Sequence, residues 1–121
     1  FNDNIRPKIA SLAMATATAY VDVTFSEAIY SMIRGPLTVA SFVGRLVDNG
    51  GGITSIVIAT ALKTTGAALV GGETVVRLAL TVGGTPNATD RFGVSLAANA
   101  VMNLAGNGAI TSEVLVTCKA A

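Results

Sequence analysis

Ser26 and Glu27 put a hydroxyl beside a carboxylate, the pairing of a nucleophile with its base. They close the stretch Val21-Asp22-Val23-Thr24-Phe25-Ser26-Glu27, whose alternation is that of a strand. Adjacent strand residues point to opposite faces, so the two groups do not converge on one substrate. A small polar residue followed by an acid, Ser26-Glu27-Ala28, instead reads as a turn out of the sheet. The chain has no histidine, which removes Ser–His and Cys–His activation and the commonest metal ligand. No catalytic residue is assigned, and the chain reads as something other than an enzyme.

Oxygen ligands are the next candidates. Glu27, Asp90, Asn103 and Asn107 could gather at one end of a β-sandwich and offer a hard site to calcium. The plainer reading, solvated loop side chains and Asx-turns, is preferred, so no metal and no cofactor is expected. Gly71-Gly72 and Gly83-Gly84 lack the Lys and Ser/Thr of a phosphate loop and read as hairpin corners. Asn87-Ala88-Thr89 fits the N-glycosylation pattern, which arises readily by chance. Cys118 is the single cysteine and has no internal partner; burial in the last strand makes it inert.

The elements that must position these residues begin with the size of the chain. At 121 residues it reads as one domain over 1–121, with residues 1–6 as an extended N-terminal arm or linker. The start at Phe1, without Met or a signal pattern, fits a processed mature chain or an excised domain. Charged residues are only 12% of the chain, about half the usual share. With 51% apolar residues and a mean hydropathy of +0.64, some faces are expected to be covered by neighbours. No run approaches the ~18 apolar residues of a membrane helix. The net charge of +1 is spread without a basic stripe and Trp is absent, which argues against nucleic-acid binding.

Alternation recurs along the chain. Strands are expected near Lys8 to Met14, over Ala19 to Phe25, Phe42 to Val47, Ile53 to Leu62 and Thr74 to Val82, then around Phe92 to Leu96 and Ile110 to Lys119. Asp48-Asn49-Gly50-Gly51-Gly52 has the composition of a hairpin turn, and Gly83 to Asn87 that of a plain loop. Leu37 to Phe42 fits a strand or a single helical turn, and Ala98, Val101 and Met102 could share a face of a short helix. About seven short strands predict an all-β, Ig-like antiparallel β-sandwich. Its inward positions are Val21, Val23, Phe25, Ile56, Ile58, Val76, Leu78, Leu80, Phe92, Val94 and Val116.

Six short stretches then occur in a telling order: VDVTFSE (Val21 to Glu27), GPLTVASF (Gly35 to Phe42), NGG (Asn49 to Gly51), LVGGE (Leu69 to Glu73), GTPN (Gly84 to Asn87) and LAGN (Leu104 to Asn107). In this the chain resembles the bacterial Ig-like, cadherin-like sandwich repeats of large secreted and cell-surface proteins, from about Pro7 to Val116. The resemblance implies an extracellular or cell-surface location. Where many such repeats carry acids that can ligate calcium, this chain has Asn103 and Ser41, which makes calcium unlikely here.

The function expected is a non-enzymatic structural module, a subunit or repeat of a surface protein, filament or layer, working against copies of itself or tandem neighbouring domains. A virion coat or decoration protein on a similar sandwich is an alternative, as is a carbohydrate- or protein-binding adhesion module. The candidate interface residues are Met32 and Ile33 in a loop, Val75 on the outer side of a strand, and Leu115 in the last strand. Pro7 guards only the first strand, while Glu113 and Lys119 bracket the uncharged residues Val114 to Cys118. Contact with a neighbour is therefore expected at the first or last strand or at Met32-Ile33.

Overall fold

Seven strands form from the alternating stretches in the computed structural model, which describes residues 6–120. They are β1 (Ile9–Met14), β2 (Tyr20–Ile29), β3 (Phe42–Val47), β4 (Ile53–Leu62), β5 (Glu73–Gly84), β6 (Arg91–Leu96) and β7 (Val114–Thr117). One antiparallel sheet has the order β1-β2-β5-β4 and the other β3-β6-β7. This is the order of the constant-type immunoglobulin sandwich, in which A, B, E and D oppose C, F and G. The expected all-β, Ig-like sandwich of about seven strands is what the chain forms.

The period-2 pattern decides what fills the space between the sheets. Val21, Val23 and Phe25 of β2, Val76 and Leu78 of β5, and Phe92 and Val94 of β6 are buried. Ile56 is buried too, whereas Ile58, Leu80 and Val116 pack on the core from partly covered positions. The Phe25 and Phe42 rings meet at a centroid distance of 6.3 Å, tilted by 51°. Cys118 is buried, so the two sheets are held by packing without a disulfide between them. Gly44 is the inward position between Phe42 and Leu46, and the Phe92 ring occupies the space a side chain there would need.

Several local expectations are corrected. Ser26-Glu27-Ala28 does not turn out of the sheet: β2 continues to Ile29, with a shift of register against β5 between Thr24 and Ile29. Asp48 to Gly52 is no hairpin, because β3 and β4 lie in different sheets and the glycines carry the chain across. Gly83 and Gly84 belong to β5, opposite Ser55 and Ile53, and are neither a loop nor a hairpin corner. Val39–Ser41 is a single 3-10 turn closed by Thr38 and Ser41, the helical option for that stretch. Ala97 to Leu104 is not helical, since Tyr30 claims both backbone groups of Met102. The closing strand is shorter than expected, Val114–Thr117. The arm expected over residues 1–6 lies outside the described residues, except for Arg6.

Candidate interaction surface

The connections β2–β3, β4–β5 and β6–β7 emerge at one end of the sandwich, and backbone chemistry holds them together there. Ser31 N–H donates to Gly35 O at 2.9 Å and Arg34 N–H to Ser31 O at 2.8 Å, closing a tight loop with Arg34 at φ 61°. In the β4–β5 connection, Glu73 accepts from Val70 N–H at 2.9 Å and from Gly71 N–H at 3.0 Å. Gly71, at φ 100°, lies against Gly35 O and the Tyr30 ring, where a Cβ would crowd both. In the β6–β7 connection, Asn107 N–H donates to Asn103 Oδ1 at 2.9 Å, and the Arg34 guanidinium donates to Leu104 O. The Arg6 guanidinium donates to Gly108 O at 2.8 Å and Ala109 O at 2.9 Å.

Arg6, Arg34 and Glu73 thus direct their charged heads onto backbone. The large side chains left facing solvent at this end are apolar: Ile33 is 88% exposed, Val70 65%, Leu104 62% and Met32 40%. Four apolar side chains from three loops converge on one end. The position of Met32-Ile33 follows from the sequence, but Val70 and Leu104 were not singled out. The signal for both was a large apolar residue beside a glycine-bearing turn, Val70-Gly71-Gly72 and Leu104-Ala105-Gly106.

The other candidate interface residues lie elsewhere. Val75 is half-buried on the outer face of the four-stranded sheet, paired with Thr24. Its exposure is smaller than an outward strand position suggests. Leu115 is exposed on the outer face of the three-stranded sheet, opposite Gly93. Across Gly93, Glu113 reaches Arg45 in a two-bonded ion pair, at 2.9 and 2.6 Å. The ion pair holds the Glu113 carboxyl below its ordinary range. Arg77 and Asp22 pair similarly on the other sheet, with Arg77 stacked 3.9 Å over the Tyr20 ring.

Of the four oxygen-bearing candidates, three come together. Asn103 Nδ2 donates to Glu27 Oε1 at 3.1 Å, and Asn107 adjoins Asn103. Asp90 is at the opposite end, buried, where Oδ1 accepts from Asn49 N–H (2.8 Å) and Gly51 N–H (3.0 Å). Its Oδ2 accepts from Ile53 N–H at 3.2 Å and Asn87 Nδ2 at 3.1 Å. The Asn49 backbone bond first, then that from Asn87, lower its pKa to about 2. Asp90 is therefore the pin that fixes the crossing from β3 to β4. Among the described residues no group of three or more Cys, Asp or Glu is placed to hold a metal ion, and no helix is long and apolar enough to cross a membrane.

The remaining candidates serve the scaffold. Ser26 Oγ accepts from Lys8 N–H at 3.1 Å, so Ser26 and Glu27 are engaged with different parts of the chain. Asn87 gives its amide to Asp90 and accepts from Thr89 and Asp90 N–H at 2.8 Å each. A glycan on Asn87 Nδ2 would disturb the Asp90 pin. Burial pushes the Cys118 thiol up, with the Asp90 charge adding to it. Compared with known protein families, with curated proteins and with solved structures, the chain matches none significantly.

Proposed function

We propose that this chain is a non-enzymatic structural module, a subunit or repeat of a surface protein, filament or layer, that works by packing its loop end against a neighbouring copy or domain. The observation that carries this reading is the convergence of Met32, Ile33, Val70 and Leu104 at one end, with the nearby charges turned onto backbone. Contiguous exposed apolar residues on a sandwich mark an interface more often than a free surface. An extracellular or cell-surface location rests on the sequence resemblance alone.

A protein-binding adhesion module is the second reading, favoured by the same three loops meeting where variable domains carry their binding loops. Carbohydrate is the weaker ligand class: Phe25, Phe42 and Phe92 are buried, and Tyr20 and Tyr30 are half-buried. NMR spectra recorded over a range of concentrations test the main reading. Shifts confined to Met32, Ile33, Val70 and Leu104, abolished by Ile33→Lys in a folded chain, are the expected result. Absence of any such shift, together with electron micrographs of the native material showing isolated chains, would overturn it; filament, layer or shell distinguishes the kinds of assembly.

A further inference from the structure

The edges of the two sheets are not equally protected. At β1, Pro7 and Lys8 precede the strand and the C-terminal part of the chain runs beside it, with Ile110 N–H donating to Pro7 O (2.9 Å) and Ala17 N–H to Ala120 O (3.0 Å). β3 carries Arg45, and β7 is four residues long between Glu113 and Lys119. β4 is different. Its ten residues, Ile53–Leu62, include no charge and no proline, and among the described residues it pairs only with β5. Irregularities at Thr54 and Ala59 bend its two ends, and Ser55 to Ile58 between them is regular.

An edge strand leaves a row of N–H and C=O groups that another strand can satisfy, which charge or proline ordinarily discourages. What joins β4 follows from its charge pattern. When an edge pairs antiparallel with its own copy, each residue near the two-fold axis meets itself or a close neighbour. At β3 that would bring Arg45 close to its equivalent. At β4 it would set Val57 against Val57, Ile56 against Ile58 of the second copy, and Ser55 against Ala59. The first and third pairs lie on the outer face and the second on the inner face, and no like charges meet. Val57, 59% exposed in the single chain, would be covered. Arg45 on the adjacent β3 is already paired with Glu113, so it brings no unmatched charge to the seam.

We propose that β4 is the edge through which two copies of this chain join, antiparallel about Val57, so that the four-stranded sheets become one continuous sheet. The proposal rests on reading the chain as an assembling module, and it names a surface separate from the loop end. Sedimentation of the full chain tests it, read together with deuterium exchange of the Ser55 to Ile58 amides. The expected result is a dimer whose formation slows exchange at those amides. Val57→Lys, at an exposed position, should leave the melting temperature of the monomer unchanged and weaken association by about tenfold or more, because like charges then stand opposite one another. A mixture of Val57→Lys with Val57→Glu should restore the pair. Ile33→Lys should leave the β4 dimer intact, so loss of loop-end packing and loss of this pairing are told apart. A wild-type chain that stays monomeric to its solubility limit would overturn the proposal. So would a Val57→Lys chain that dimerises as well as wild type, or a dimer with unprotected Ser55 to Ile58 amides.

Discussion

Gly44 on β3 lies beneath the ring of Phe92 on β6: a Cβ at Gly44 would stand 2.6 Å from Phe92 Cζ and 3.1 Å from Ile58 Cδ1. The ring is fully buried and has nowhere to swing. Gly44→Ala should therefore cost about 1–3 kcal/mol through overpacking. Gly93→Ala is the control. A Cβ there meets the Glu113 carboxylate at 2.5 Å, the end of a flexible side chain. Losing that surface ion pair costs roughly 0–1 kcal/mol, and removing a glycine's freedom offsets some of it. Chemical denaturation of the two variants should rank them clearly, with Gly44→Ala the less stable.

The Asp90 pin predicts a particular response to acid. Its folded pKa, about 2, is below the ordinary carboxylate value of about 3.9. A depressed pKa contributes stability that is present above the unfolded value and is lost as pH falls through the folded one. The melting temperature should decline from about pH 4 down to about pH 2, with the Arg45–Glu113 pair adding a smaller slope in the same direction. Asp90→Asn should be less stable at neutral pH and should flatten that decline. A wild-type melting temperature indifferent to this window would show that Asp90 does not hold the crossing.

Metal should not matter to the fold. Glu27, Asn103 and Asn107 adjoin, but Asp90 is at the other end and is occupied by N–H donors. A chelator is expected to leave the melting temperature unchanged. A rise of more than a few degrees on adding calcium would show that the three neighbouring residues form a site after all.

Phe25 closes the core between the sheets, buried and in ring contact with Phe42. Phe25→Ala should cost about 3–5 kcal/mol, a large part of the stability of a domain this size. Differential scanning calorimetry checks it; an unchanged transition would mean that the cavity is filled by neighbours or that the ring contributes little.

Strands were legible in this sequence because period-2 alternation is a local signal, visible in Val21, Val23 and Phe25 or in Phe92, Val94 and Leu96 without knowledge of partners. Sheet membership was less so. Asn49-Gly50-Gly51 has hairpin composition, yet the pull that decides its path is the Asp90 carboxylate, some forty residues away. The Ser26-Glu27 bend was misread because a polar pair resembles a turn when its partners, Lys8 and Asn103, are unseen. At the loop end, Ile33 was legible as an isolated apolar residue in a loop. Its convergence with Val70 and Leu104 depends on three connections meeting in space, which no single stretch encodes. The edge at β4 was hidden for the same reason: edge or centre is a property of sheet order.

Arg6 is bonded at the loop end, to Gly108 and Ala109, whereas Ala120 is bonded to Ala17 at the opposite end. The C-terminal part of the chain runs beside β1 in the same direction, since Pro7 meets Ile110 and Ala17 meets Ala120. Traction applied through Arg6 and Ala120 would run along the strands. It would load the contacts between the β1 side and the C-terminal part in shear, all together, instead of peeling them apart in turn. The sandwich is thereby suited to bear tension as a link, whatever stands on either side of it.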